Sequence, residues 1–282
     1  MITHPLKKLP AFLQMARPIN CLLSGLSILT AAVLAQPIQN HMHVALAAII
    51  GIMITAAANT INDYYDIEID RINRPERVLP SARITPDSAL VFSIILFVCA
   101  IFFSIFIDAP SFLLALISSF LLVLYSAKLK RTVLMGNILV AFVSGLAFLF
   151  GAAAANHWSY GLTPACLAFF FHLGREILKD LEDIEGDGAG NAMTLPVKYG
   201  PGAALVTITA VYTILIFVTF IPYYLQIYNI NYLYIVTPGV NLVIVLTTIG
   251  IWKATDKKQL RFYSNVLKVD MIVGLIAIYS GR

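Results

Sequence analysis

Residues 45–70 read ALAAIIGIMITAAANTINDYYDIEID, an apolar run that ends in a group of acidic residues. Residues 163–187 repeat this arrangement as TPACLAFFFHLGREILKDLEDIEGD. An α-helix needs about 20 mostly apolar residues to cross a bilayer, and both runs approach that length. The two stretches therefore predict membrane-spanning helices that carry carboxylates at one end.

The composition of the 282-residue chain is that of a membrane protein. Charged residues make up 12% and hydrophobic residues 59%, with a mean hydropathy of +0.84. Soluble domains hold roughly 25% charged residues, so the composition excludes a soluble globular protein. We predict an all-α polytopic membrane protein, a bundle of nine transmembrane helices that forms a single domain over residues 1–282. The predicted spans are Phe12–Ala35, His43–Asp63, Ser88–Ile107, Pro110–Tyr125, Gly136–Ala155, Thr163–Asp183, Gly202–Gln226, Tyr232–Trp252 and Ser264–Tyr279.

The distribution of basic residues predicts the topology. The connections after the first, third, fifth and seventh predicted spans contain no Lys or Arg. Of the 19 Lys and Arg residues, all except Arg282 fall on the other side of the predicted bundle. Cytoplasmic loops of membrane proteins are enriched in Lys and Arg. We expect a plasma-membrane protein with a cytoplasmic N-terminus, an external C-terminus and both acidic helix ends facing the cytoplasm.

The two acidic groups share the spacing D-x-x-D-x-x-x-D. Residues three and four apart lie on one face of a helix, so each group forms an acidic row. Two facing rows repel each other unless cations neutralise them. Ligands that are all oxygen suit Mg²⁺, which takes one or two carboxylates and completes its shell with water and substrate phosphate. A charged row at a helix end can also simply mark the membrane boundary, but the repeated spacing favours a Mg²⁺-bridged diphosphate site.

Basic residues flank both rows, as a diphosphate site requires. Lys and Arg clamps stabilise the charge that develops on a departing phosphate. Basic residues in loops are also expected from topology alone, whereas Arg175 and Lys179 lie deeper in a helix than an orientation signal needs. The candidates for this catalytic role are Arg74, Arg77, Lys128, Arg175 and Lys179.

Other residues near the rows are candidates for binding the substrates. Tyr64 and Tyr125 are able to shield an allylic cation with their ring faces. His172 lies one turn before Arg175 and is a candidate for reaching an acceptor. Ordinary packing remains the alternative for the tyrosines and for His172. The substrate-binding candidates are Asn62, Asp63, Tyr64, Tyr125, Lys130, Arg131, His172 and Asp180.

Several of these motifs resemble the UbiA superfamily of intramembrane prenyltransferases. NDYYDIEID at residues 62–70, followed by N-R-P-x-R at 73–77, is similar to the superfamily's first signature. D-x-x-x-D at 183–187 is similar to the second signature, and RPIN at 17–20 to the opening motif. In the loop after the first signature, Val78 stands where the superfamily commonly has Pro, and Ala82 where it commonly has Gly.

The resemblance implies a fold, a reaction and a set of ligands. The fold is an α-helical bundle with a central cavity that opens laterally to the lipid. The reaction is transfer of a polyprenyl group from its diphosphate, with Mg²⁺ as cofactor. The implied ligands of Mg²⁺ and the diphosphate are Asn62, Asp66, Asp70, Asp183 and Asp187.

The second signature also indicates the acceptor. Residues 174–187, with T-L-P at 194–196, are most similar to enzymes that join a geranylgeranyl group to geranylgeranylglyceryl phosphate through an ether bond. Such an acceptor brings its own phosphate, for which Lys128, Lys130 or Arg131 is a candidate partner. Chlorophyll synthases share parts of the pattern, so an aromatic or chlorin acceptor remains the rival expectation.

A cation transporter is the alternative from another class of protein. Transporter sites usually lie near the bilayer midplane on broken helices of an inverted repeat. Here both rows lie at the same predicted membrane face, and the repeated motif has the same orientation in both spans. The sequence contains no nucleotide-binding loop, no Cys/His metal site and no nucleic-acid motif. We therefore expect the partners to be a prenyl diphosphate, an acceptor and the surrounding membrane lipids.

Overall fold

The computed structural model of the protein describes residues 5–282, with side chains from Leu9 onward. The first four residues of the predicted domain lie outside the described part. Residues 5–282 contain helices and connecting turns, and no strand. The helices are α1 Pro5–Ala16, α2 Pro18–Leu34, α3 His41–Tyr65, α4 Ile67–Asn73, α5 Pro86–Ser104, α6 Ala109–Ala127, α7 Met135–Ala154, α8 Leu162–Glu182, α9 Ile184–Ala189, α10 Leu195–Tyr199, α11 Pro201–Tyr224, α12 Ile230–Ile235, α13 Leu242–Lys253 and α14 Lys257–Ser280.

Seven helical segments between residues 5 and 282 are long and apolar enough to cross a membrane. They are α3, α5, α6, α7, α11, α14 and the continuous run from α12 to α13; α1 and α2 together add an eighth as a bent pair. The remaining predicted span, Thr163–Asp183, is α8, whose 21 residues are long enough but include several charged side chains in the last two turns. The predicted all-α bundle is confirmed, whereas the count of nine spans is not.

The first predicted span is broken where the sequence predicts one continuous helix. The axes of α1 and α2 differ by 51°. Arg17 lies between them with φ 55° and ψ 76°, in the left-handed region. The ring of a proline disfavours the α conformation of the residue before it. Pro18 therefore ends α1 at Ala16 and begins α2, and the break turns the Arg17 side chain toward Asp63 at the end of α3.

The eighth predicted span is continuous but locally widened. Residues Val236–Asn241 form a π-helical segment between α12 and α13. Pro238 lies in this segment and has no backbone N–H to donate to the preceding turn. A widened turn accommodates the missing hydrogen bond without breaking the helix.

Helices α2, α3, α7 and α8 pack closely at the centre of the bundle. A Cβ atom at Gly151 of α7 would lie 2.1 Å from the carbonyl oxygen of Ile28 in α2. Only glycine allows the two backbones to approach this closely. On the far side of α8, Tyr212 of α11 and Leu267 of α14 belong to the same buried cluster as Ile177. The packing leaves a central cavity between these helices, and α3 and α8 end beside it.

Candidate functional site

Helices α3 and α8 end in the same way, each at the second aspartate of its row. Asp66 separates α3 from α4 with φ −95° and ψ 4°, and Asp183 separates α8 from α9 with φ −99° and ψ 11°. The N–H of Asp70 donates to the carbonyl oxygen of Asp66 (2.7 Å), and that of Asp187 to Asp183 (3.0 Å). The helical four-residue spacing thus continues across both breaks. We call this end of the bundle the acidic end.

The short helices that follow the breaks pack against each other and bring the two rows together. Asn73 of α4 donates from Nδ2 to the carbonyl oxygen of Asp183 (3.1 Å). A Cβ atom at Gly186 of α9 would lie 2.2 Å from the same Nδ2 atom. The small Gly186 therefore permits the contact between α4 and α9. Asp66 is close enough for its negative charge to act on Asp187 across the site.

Every carboxylate of the first row is neutralised by a basic residue. Lys130, from the loop after α6, pairs with Asp66. Arg77 donates from Nη1 to Oδ2 of Asp70 (2.6 Å) and lies 3.3 Å from Oδ1 of Asp63. Asn62 donates from Nδ2 to Oδ2 of Asp66 (2.7 Å), which fixes the carboxylate on the face predicted for the row.

The second row meets cations from two distant parts of the chain. Nη2 of Arg74 lies 2.9 Å from Oδ2 of Asp183 and 3.1 Å from Oε1 of Glu182. Arg261 donates from Nε to Oε1 of Glu182 (2.9 Å), and Lys257 Nζ lies 3.7 Å from Oδ1 of Asp183. The first turns of α14 thus close the acidic end, where Lys257 Nζ also donates to Oδ1 of Asn73 in α4 (2.7 Å).

One turn or more deeper in α8, the charges are again paired. Nζ of Lys179 donates to both carboxylate oxygens of Glu176, at 2.7 and 2.9 Å. Asp180 accepts from Nδ2 of Asn137 in α7 (2.8 Å). Arg175 lies 3.7 Å from Glu176 and donates from Nε to the carbonyl oxygen of Ser264 in α14 at 3.4 Å.

Burial and neighbouring charges shift the pKa values of groups at the acidic end. Burial raises the pKa of Asp70, although Arg77 opposes this effect. Burial also raises the pKa of Asp187 to about 6, against the influence of Lys130. For Lys130 itself, burial works against the charge, but Asp66 and Asp187 raise its pKa overall. Lys130 therefore stays charged between the two rows, and a cation is what the clustered carboxylates require.

The central cavity has a volume of about 350 Å³, and its lining includes residues of the acidic end. Its deeper walls are apolar and include Ile28, Ile54, Leu146, Phe150 and Leu167. A cavity with a charged mouth and an apolar interior matches a molecule with an anionic head and a hydrocarbon tail. The predicted site residues that line it are Asn62, Asp70, Arg74, Arg77, Tyr125, Lys130, His172, Arg175, Lys179, Asp180, Asp183 and Asp187.

Five predicted site residues lie outside the lining of the cavity. Asp63 and Asp66 stand behind it, in contact with Arg77 and Lys130, which do line it. Tyr64 packs in the apolar core, with its ring centroid 5.3 Å from that of Tyr65. The other two, Lys128 and Arg131, are exposed at the ends of the short 3₁₀ turn after α6, which directs only Lys130 inward.

Sequence reasoning missed several polar residues of the cavity that belong to other helices. Arg17 and Asn20 line it, and their motif was noted without a role for either side chain. Lys268 and Asp270 line it from α14. Both carboxylate oxygens of Asp270 are buried without a hydrogen-bond partner among the described residues. A signal existed for these two, because ionisable residues within a predicted span are functional hypotheses by default.

The residues at the acidic end fit a magnesium–diphosphate complex better than a metal held by protein alone. Within residues 5–282, no three His, Cys, Asp or Glu side chains converge on one point as a ready-made metal cage. The donors are all oxygen; Asn62, Asp70, Asp183 and Asp187 line the same cavity, and Asp66 lies behind Lys130. Mg²⁺ characteristically uses one or two carboxylates together with waters and substrate phosphates. The predicted ligand set is compatible with that coordination.

Comparison with known proteins gives a consistent set of relatives. The model of the UbiA prenyltransferase family matches residues 24–271. The chain is 37% identical to the digeranylgeranylglyceryl phosphate synthase of Methanopyrus kandleri over 270 aligned residues. The alignment covers 95% of this chain and 97% of that relative.

Solved structures give the same result for the fold. A digeranylgeranylglyceryl phosphate synthase in membranes superposes with a TM-score of 0.76 and 30% identity, over 97% of this chain and 98% of that one. A UbiA homolog from Archaeoglobus fulgidus bound to GPP and Mg²⁺ has a TM-score of 0.69, over 95% of this chain and 99% of that one. Its identity is 20%, so this second likeness concerns the fold alone.

Proposed function

The chain belongs to the UbiA prenyltransferase family, and we propose that it transfers a geranylgeranyl group from geranylgeranyl diphosphate to geranylgeranylglyceryl phosphate. The product would be digeranylgeranylglyceryl phosphate, joined through a second ether bond. The protein is an integral membrane prenyltransferase, and these two molecules are its proposed substrates. The 37% identical relative and the 30% identical structure, both described as this synthase, support that choice of acceptor.

The observation that carries the proposal is the pair of acidic rows at the mouth of an apolar cavity. We assign the donor diphosphate to the acidic end and its hydrocarbon chain to the apolar walls. Arg74, Arg77 and Lys130 line the mouth and would contact the diphosphate oxygens directly. Mg²⁺ would be held by Asn62, Asp66, Asp70, Asp183 and Asp187, and when bound it would neutralise charge on the leaving group.

The reaction follows from this arrangement. The bond between C1 of the allylic chain and the diphosphate oxygen breaks, and the electron pair leaves with the diphosphate. The basic side chains stabilise the developing negative charge because they are already positioned at the cavity mouth. The acceptor hydroxyl then forms a bond to C1, and its proton leaves to the released diphosphate. The apolar walls keep water from the allylic cation, and Tyr125 presents a ring that is able to shield it.

The remaining parts of the proposal concern the whole chain. We propose one catalytic domain with nine spans, in which α8 crosses the membrane despite its charges. We also propose that the acidic end lies on the cytoplasmic side of the plasma membrane, a topology that the Lys- and Arg-rich loops support. Support for α8 as a span comes from its length of 21 residues and its packing between α7, α11 and α14.

A transfer assay with purified protein in detergent tests the proposal. It offers labelled geranylgeranyl diphosphate and Mg²⁺ with either geranylgeranylglyceryl phosphate or a panel of aromatic acids. We expect an ether-lipid product only with the glyceryl phosphate. Asp66→Asn and Asp183→Asn should each lower kcat roughly 100-fold or more, because each removes a charge from the Mg²⁺–diphosphate complex.

Glu68→Gln is the matched control for these variants. Glu68 lies on the first turn of α4 but its side chain is 75% exposed and paired with Arg71. Its removal should leave kcat near that of the unchanged protein. Product with an aromatic acid alone would discard the proposed acceptor but keep the prenyl transfer. Full activity in Asp183→Asn would show that the acidic rows are not the diphosphate site.

A further inference from the structure

A second group of positive charges lines the cavity away from the two acidic rows. It consists of Arg175 on α8 and Lys268 on α14, two helices that pack against each other, and both side chains line the cavity. The Arg175 side chain is 14% exposed. Lys268 is half-buried, and the charges of Arg175, Arg17 and Lys179 act on it.

The two side chains reach the same depth in the bundle. Arg175 precedes Asp183 by eight residues, so its Cα lies about 12 Å deeper along α8. Its Nε donates to the carbonyl oxygen of Ser264, one turn before Lys268. Helical side chains lean toward the N-terminus of their helix. Lys268 therefore points back toward the level of Ser264, and Arg175 leans away from the acidic row.

These two cations are paired with carboxylates more weakly than the cations of the acidic end, or not at all. Arg74, Arg77 and Lys130 each hold a carboxylate of a row. Glu176 is the carboxylate nearest to Arg175, at 3.7 Å, but Lys179 occupies both of its oxygens.

Within the described part of the chain, no carboxylate neutralises Lys268. A half-buried Lys268 without a carboxylate partner, beside an Arg175 that shares Glu176 with Lys179, is costly unless an anion binds there. The wall therefore has the charge and the room for an anion separate from the donor diphosphate.

We propose that Arg175 and Lys268 bind the phosphate group of the acceptor lipid. This inference rests on the proposed function, since it assigns the acceptor of that same site. Of the loop residues expected to hold this phosphate, Lys130 is paired with Asp66, and Lys128 and Arg131 lie outside the cavity lining. A phosphomonoester carries up to two negative charges, which two cations match. The apolar walls beside α8 and α14 are then available for the acceptor's own chain.

Steady-state kinetics with both substrates tests this assignment. We expect Lys268→Gln and Arg175→Gln to raise the KM for geranylgeranylglyceryl phosphate roughly 10- to 100-fold, the loss typical of a hydrogen bond to a charged group. The KM for the donor should change less than about 3-fold, because the diphosphate is held elsewhere. Lys268→Arg keeps the charge and should restore most of the acceptor affinity.

Geranylgeranylglycerol, the acceptor without its phosphate, provides a second readout. The unchanged protein should use it with a kcat/KM roughly 10- to 100-fold below that of the phosphorylated acceptor. In Lys268→Gln this preference should shrink by the same factor, since the phosphate has lost its partner. If Lys268 had only a structural role, Lys268→Gln would lower kcat/KM equally for both acceptors. The preference for the phosphorylated acceptor would then be unchanged, and this result would overturn the inference.

Lys258→Gln is the control, because Lys258 lies on the same helix but is exposed. Thermal unfolding confirms that each variant is folded. A rise in donor KM with no change in acceptor KM would assign Arg175 and Lys268 to the diphosphate and overturn the inference while leaving the proposed function intact. Turnover with aromatic acids alone would instead refute the proposed function, and the inference with it.

Discussion

Ala82 carries backbone strain that a single substitution should relieve. It lies in the loop after α4 with φ 56°, in the left-handed region, and its side chain is exposed. This conformation costs a residue with a Cβ atom about 1–2 kcal/mol. Glycine avoids that cost but loses about 0.5–1 kcal/mol to the greater freedom of the unfolded chain. We expect Ala82→Gly to raise the free energy of unfolding by about 0.5–1 kcal/mol, measured by thermal unfolding in detergent.

An alanine within a helix is the control, because replacing it with glycine should lower the free energy of unfolding instead of raising it. Ala89 lies buried inside α5, where glycine should lower the free energy of unfolding by about 1–2 kcal/mol, because both helix propensity and a buried methyl group are lost. A lower Tm for Ala82→Gly would contradict the explanation. The same position is where the superfamily commonly has Gly, and the left-handed backbone gives a physical reason for that preference.

The raised pKa of Asp187 predicts how Mg²⁺ binding depends on pH. Burial raises the pKa of its carboxyl to about 6, so protons occupy it increasingly below that pH. Mg²⁺ needs the ionised carboxylate and competes with the proton. The apparent Mg²⁺ affinity should therefore be constant above about pH 7 and fall between about pH 6.5 and 5.5. Initial rates at varied Mg²⁺ concentration measure this affinity at each pH. Asp187→Asn should make the affinity independent of pH over this range. An affinity of the unchanged protein that stays constant from about pH 7 to about pH 5.5 would contradict the assignment.

At the level of single residues, the sequence predicts which helix faces carry the site but not which side chains meet. The spacing of Asp66 and Asp70 and of Asp183 and Asp187 predicts that each pair shares a helix face, because four residues make about one helical turn, and this spacing continues across both breaks. The contacts of Arg261 with Glu182 and of Lys130 with Asp66 join residues far apart in the chain. Helical periodicity contains no information about which helices are neighbours, so these pairs could not be predicted.

The contact between α4 and α9 depends on one glycine. In Gly186→Ala the new Cβ would lie 2.2 Å from Nδ2 and 2.5 Å from Cγ of Asn73. Asn73 is held by its bonds to Asp183 and Lys257, so the two helices must separate instead. We expect kcat to fall roughly 10-fold or more, because catalysis depends on the spacing of the two rows.

Gly188 of the same helix provides the comparison. No atom lies within 4 Å of a Cβ built there. Gly188→Ala should therefore keep kcat and raise the stability slightly, since alanine favours the helix. Transfer rates and thermal unfolding of the two variants measure both effects. Equal rates for the two variants would mean that α4 and α9 do not set the geometry of the site.

At the level of elements, the sequence predicts the long helices well and their interruptions less well. The predicted span His43–Asp63 corresponds to α3, which extends two residues further at each end. The break at Arg17 was missed, because the apolar run continues through it and conceals the effect of Pro18. The breaks at Asp66 and Asp183 were missed for a different reason. Both rows keep their helical spacing across the break.

Across the whole molecule, the two ends of α8 should lie on opposite sides of the membrane. Ser159 precedes α8 and Glu185 follows it, and both are exposed. In a variant with Cys21, Cys99 and Cys166 replaced by alanine, each position receives a single cysteine. A membrane-impermeant thiol reagent added to intact cells should label Ser159→Cys, and Glu185→Cys only after permeabilisation. Labelling of both in intact cells would exclude α8 as a span, and the reverse pattern would invert the topology.

The charges of α8 also bear on how the protein is made. A charged residue near the centre of a helix costs roughly 2.5–3.5 kcal/mol when the helix enters lipid from the translocon. Taken alone, α8 is therefore a poor substrate for the insertion machinery. Its predecessor α7 is strongly apolar, packs along it, and at Gly145 approaches the backbone of Ala165 to within contact distance. The two helices are suited to leave the translocon together as a hairpin, so the polar face that binds substrates would be sheltered from lipid from the moment of its synthesis.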